Sequence, residues 1–197
     1  MTDYEGLLDL VKKRRSCRHF KPDAVPDEYI RKIIEVARWA PSGANTQPWD
    51  FVVVKKPELR QKIYGYIEDL NALTRKFETE RDPNRPSSTG GIGAGDRQPP
   101  VLIVLVGDPR TIGGYPIMGR VEKGQSILEA SLANTFVYMH LAAASLGLGA
   151  GWVTITCHNY MQVRVKDLLQ IPQEMTILVL SSVVCTLEKG FSTPVPV

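Results

Sequence analysis

From Ala130 to Val163 no side chain carries a formal charge, and this stretch limits the chain's options more than any other feature. A membrane span needs about 20 mainly apolar residues. Here Asn134, His140 and Ser145 interrupt the run, Gly147, Gly149 and Gly151 follow, and Glu129 rather than a base stands at its start. The better reading is a buried helix over about 125–146, roughly 33 Å long at 1.5 Å per residue, entering a strand over 152–156. A helix without a charged face must be covered on every side. In a chain of 197 residues the body of the fold can cover only part of it, and a second copy of the chain is a plausible cover for the rest.

The remainder reads as an ordinary globular chain of one domain, residues 1–197. A net charge of +3 calls for neither nucleic acid nor a membrane surface. Cys17, Cys157 and Cys185 form no zinc or disulfide spacing. No metal is expected, and a reducing cytoplasm suits such free thiols. MTDYEGLLDL carries acids where an export signal carries bases.

Helices are expected over 3–14, from Pro26 until the break at Pro41, from Pro57 to about Lys76, and from a cap at Asn159 to about Leu169. Strands are expected over 50–55, 101–106, 152–156 and 176–186. Residues 80–100 hold four glycines and four prolines, which suits a mobile loop and a candidate lid. Residues 107–126 read as a further loop. Interleaved strands and helices give the α+β or α/β class around one sheet.

Three segments are rich in chemistry. Arg14, Arg15, Ser16 and Arg18 lie where the first helix ends, and guanidinium forks fit phosphate oxygens. A solvated basic face, offsetting the helix dipole, is the competing reading. Residues 41–49, PSGANTQPW, pack polar side chains around Gly43, where backbone can approach a ligand closely; plain turn chemistry competes there. Thr154 and Thr156 share one strand face across Ile155. The glycines at 147–151 follow a helix and precede a strand, the reverse of a dinucleotide fingerprint. His19, His140 and His158 are scattered, with no legible relay to a nucleophile. Chemistry carried by a bound cofactor needs no such relay.

RRSCRHFKPDAVPDEYIRKIIEVARWAPSGANTQPWDFVVV, followed by a long apolar helix ending in GLG and running into WV, resembles the nitroreductase family over most of the chain. The resemblance implies an α+β fold, with a central mixed sheet flanked by helices in an intertwined homodimer holding two FMN. It implies an FMN-dependent oxidoreductase that takes hydride from NADH or NADPH. The electrons would pass to a nitroaromatic, quinone or similar conjugated acceptor in a two-step exchange. Arg14, Arg15, Ser16 and Arg18 match the grip on the FMN phosphate and ribityl chain. Pro41, Ser42, Gly43 and Ala44 match the loop reaching the opposite subunit's flavin, supported by Gln47. Thr154, Ile155 and Thr156 match the lining of the ring, with the Thr156 hydroxyl at its N5 edge.

Two departures bear on function. The family's basic segment after the last strand is reduced here to Lys189 in TLEKGFSTPVPV, which is expected to weaken the phosphate grip. PSGANTQPW and WVTIT resemble the iodotyrosine deiodinase branch about as well, which brings in reductive dehalogenation and one-electron chemistry. A flavin-binding or scavenging module without turnover is the alternative outside enzymes.

Overall fold

The computed structural model describes residues 4–17, 20–78, 99–153 and 157–184. In chain order these form α1 (Tyr4–Lys13), α2 (Asp27–Ala37), β1 (Trp49–Val54), α3 (Pro57–Glu78), β2 (Val101–Gly107), α4 (Ile117–Ser145), β3 (Gly149–Val153), α5 (Asn159–Leu169) and β4 (Thr176–Val184), with short 3-10 turns at Gly43–Asn45 and Pro109–Gly114. The class is α+β.

The four strands lie in the order β1-β2-β4-β3. Each neighbouring pair is antiparallel. The parallel component of the expected mixed sheet is, among the described residues, a bridge between Ser16 and Ala150. β2 sits inside the sheet and is buried along its whole length, as its unbroken apolar sequence demands. Its side chains alternate between two cores. Leu102, Val104 and Val106 pack with Ile63 and Ile67 of α3 and with Met161 and Val165 of α5. Val101 and Ile103 face Ile33 and Ala37 of α2 and Met139 and Ala143 of α4. Leu105 meets Leu128, Leu132 and Phe136 of α4. Helices therefore cover both faces, and α4 is the main partner of one of them.

α4 differs most from the sequence reading. It begins at Ile117, eight positions before Gln125, and runs for 29 residues. Its first turns carry Arg120, Glu122 and Lys123 beside exposed Ile117, Met118 and Val121, so no apolar stripe announces a helix there. Gly124, which reads as loop punctuation, instead lets the helix approach Ile112: a β-carbon there would lie 2.6 Å from Ile112 Cγ2. Farther along, Ser131, Leu132, Thr135, Phe136, Met139 and His140 are buried, while Ala130, Ala133, Asn134 and Val137 are exposed. The helix is thus half covered within the chain. The uncharged remainder is an open face.

Smaller differences have local causes. β3 starts at Gly149 rather than Trp152, because Gly149 and Ala150 pair with Val184 and Val183. His158, not Asn159, caps α5: its Nδ1 accepts the Tyr160 N–H at 3.4 Å. α2 ends at Ala37, with Arg38 as its cap, ahead of Pro41. α1 buries none of its residues in the chain, leaving Tyr4, Leu7 and Val11 exposed. No described helix is long and apolar enough to cross a membrane. The loop expected at 80–100 lies outside the described residues except for its last two positions.

Candidate functional site

The basic turn is fastened to β3. The Arg14 N–H donates to Leu10 O at 3.0 Å, continuing the last turn of α1. Ser16 then bridges Ala150, and the Cys17 N–H donates to Ala150 O at 2.9 Å. This places Lys13, Arg14 and Arg15 over the bend where α4 gives way to β3. They rim a cavity of about 320 Å³ closed by His140, Ala144 and Gly147–Ala150. No carboxylate lines it among the described residues. Lys13 also pairs with Asp9 at 2.6 Å on the exposed side of α1.

His140 forms one wall. It is 4% exposed, and its ring lies 4.1 Å from that of Phe136. Phe136 in turn stands 4.9 Å from the half-exposed Trp152. Burial, reinforced by the Arg14 charge, pulls the imidazole pKa from 6.5 down to about 4. It is therefore neutral at pH 7. The unfolded chain binds its proton near pH 6.5 and the folded chain only near 4, so stability is untouched above 6.5 and falls as pH drops toward 4. The full loss is about 3 kcal/mol. Thermal melts at pH 7.5 and 4.5 should show His140→Gln losing less stability on acidification than the wild type; parallel losses would exclude His140 as the source.

The 41–47 loop is strained and held. Ala44, Asn45 and Gln47 take φ of 50°, 52° and 46°. For residues with a β-carbon, such left-handed geometry costs about 1–2 kcal/mol each, less for Asn. Ser42 Oγ accepts the Gln47 N–H at 3.0 Å, and Thr46 Oγ1 donates to Gly43 O at 3.0 Å. Gln47 Nε2 donates to Asn45 Oδ1 at 3.3 Å. The Gly43 N–H donates to Ser131 Oγ at 3.1 Å, and Asn134 Nδ2 donates to Pro41 O at 3.2 Å. Gly43 presses so closely on α4 that a β-carbon there would overlap Ile127 Cγ2.

Of the site residues read from sequence, Arg14 and Arg15 line the cavity and Ser16 anchors the turn beside it. Pro41, Ser42, Gly43, Ala44 and Gln47 form a separate group. Arg18, Thr154, Ile155 and Thr156 lie outside the described residues. The two placed groups do not meet in one chain. The loop sits against Ile127–Asn134, whereas the cavity reaches Ala144, about 20 Å farther along α4 at 1.5 Å per residue from Ser131. The sequence reading missed Ser131 and Asn134. Hydroxyl and amide side chains on an otherwise uncharged helix were the available signal for them.

Comparison with known proteins agrees with this fold. The family model described as "Nitroreductase family" matches residues 11–183. Iodotyrosine deiodinase 1 of Mus musculus is 33% identical over 89% of this chain and 60% of its own length. 5,6-Dimethylbenzimidazole synthase of Rhodospirillum rubrum is 30% identical over 77% of this chain and 70% of its own. The chain spans 60% of the mouse deiodinase it matches and 41% of the rat one. Among solved structures, nitroreductase with bound FMN from Bacteroides fragilis superposes with a TM-score of 0.64 at 20% identity, covering 97% of this chain and 94% of the other. An FMN-dependent nitroreductase from Clostridium difficile gives 0.68 at 20% identity, over 95% and 91%. The chain belongs to the nitroreductase family.

Proposed function

We propose that this chain is an FMN-dependent oxidoreductase that works as a homodimer. It takes reducing equivalents from NADH or NADPH and delivers them to a nitroaromatic, quinone or similarly conjugated acceptor. The observation that carries the reading is the division of the site. A basic cavity and a strained, polar loop lie apart on α4, on either side of an open uncharged face. A two-fold pairing through Ala130, Ala133 and Val137 would set the loop of one copy against the cavity of the other. The apolar side of α1 would be covered in the same act.

The residues suit the cofactor. Cations rim a cavity that no described carboxylate lines, as a phosphate monoester requires. Arg14, Arg15 and Ser16, with Arg18, would hold the phosphate and ribityl chain. Pro41–Ala44 of the second copy would close over the ring and exclude water. Thr154, Ile155 and Thr156 follow β3 directly in the sequence and would line the ring, with Thr156 at its N5 edge. Bound FMN supplies the chemistry, accepting a hydride and releasing electrons to the acceptor. The chain's own work is to neutralise the phosphate, orient the ring, and present hydroxyl and backbone donors where negative charge develops. The Ser42 lone pair is engaged by Gln47, which leaves its hydroxyl proton to donate.

The similarity to iodotyrosine deiodinases over 89% of this chain favours one second reading, reductive removal of halide from a halogenated phenol. An anaerobic assay separates them. The purified protein with added FMN should bleach on NADH or NADPH and be reoxidised by a nitroaromatic or quinone. Reoxidation by a halophenol with halide release, and not by these acceptors, would install the second reading. A yellow protein that neither nucleotide bleaches would point to flavin binding without turnover.

A further inference from the structure

We infer that Ser131 and Asn134 are positioning residues of this site, holding the Pro41–Gln47 loop at the height on α4 from which it meets a flavin bound to the second copy. The inference rests on the function proposed above and adds two residues to it. Ile127, Ser131 and Asn134 lie on successive turns of one helix face, and each takes a different part of the loop. Ile127 bears on Gly43. Ser131 is 2% exposed; its hydroxyl proton goes to Ile127 O at 2.8 Å and a lone pair accepts the Gly43 N–H at 3.1 Å. Asn134 is exposed, yet its amide donates to Pro41 O at 3.2 Å.

The loop needs such a clamp. Three left-handed residues with β-carbons within four positions persist only where the surroundings over-determine them. The hydrogen bonds inside the loop set its shape. Those from Ser131 and Asn134 set where that shape stands. Because Asn134 shares its face with Ala130, Ala133 and Val137, the helix that would pair two copies also fixes the loop that closes the site.

The test titrates FMN into flavin-free protein and follows flavin fluorescence and the visible circular dichroism of the bound form. Thr135→Ala is the control, since Thr135 is buried one turn beyond Ser131 and its hydroxyl donates to Ser131 O at 3.0 Å, away from the loop. Ser131→Ala and Asn134→Ala should each weaken FMN binding about three- to tenfold, as loss of one hydrogen bond implies. Both should alter the visible dichroism, and Thr135→Ala should do neither. Asn134 is exposed, so its variant remains informative if Ser131→Ala folds poorly. Wild-type affinity and dichroism in Asn134→Ala, or equal effects in Thr135→Ala, would overturn the assignment while leaving the proposed function intact. Failure of the wild type to bind FMN would remove both.

Discussion

Replacing Arg14 by alanine is expected to weaken FMN binding about tenfold to a hundredfold while leaving riboflavin binding nearly unchanged. A charge-assisted hydrogen bond contributes about 1.5–3 kcal/mol, and each 1.4 kcal/mol is a factor of ten in affinity. Riboflavin lacks the phosphate, so the ratio of the two affinities isolates the cationic grip from ring stacking. The substitution also removes a neighbouring charge from His140, so its pKa should rise only slightly from about 4, because burial, the larger cause, remains. Equal losses for both flavins would mean that Arg14 supports the fold rather than the phosphate.

The second large effect is expected at Gly43. Gly43→Ala sets a β-carbon against Ile127 Cγ2, part of a branched side chain with little freedom to turn away on a helix. Overpacking of this kind costs about 1–3 kcal/mol. Moving the loop outward would also strain the bonds to Ser131 and Asn134, so FMN affinity and thermal stability should fall together. Shortening Ile127 to alanine in the same chain should return part of both losses. A double-mutant cycle reads this directly: a coupling near zero would mean that the loop and α4 do not bear on each other there.

Much of the frame was legible because it depends on local rules. VLIVLV can only be a strand buried on both faces, and β2 is that strand. The spacing of Ile30, Ile33 and Ala37 turns one side of α2 to the core. The chemical character of the basic turn and of the 41–47 loop was also readable, since guanidinium groups and a glycine among polar residues limit what a segment can do. What escaped is tertiary. The first two turns of α4 have no apolar stripe, because Ile117, Met118 and Val121 stay exposed there, and Gly124 reads as a breaker until Ile112 is seen against it. Ser131 and Asn134 gain their meaning from a loop some ninety positions away. The split of the site along α4 is a matter of three-dimensional distance, and a linear pattern cannot express it.

That split is best tested by light scattering coupled to size exclusion, run across an FMN titration of flavin-free protein. A dimer binding one FMN per chain, with affinity lost on dilution into monomer, is the predicted result. A monomer that holds FMN as tightly as any larger species would contradict a site shared between two copies of α4.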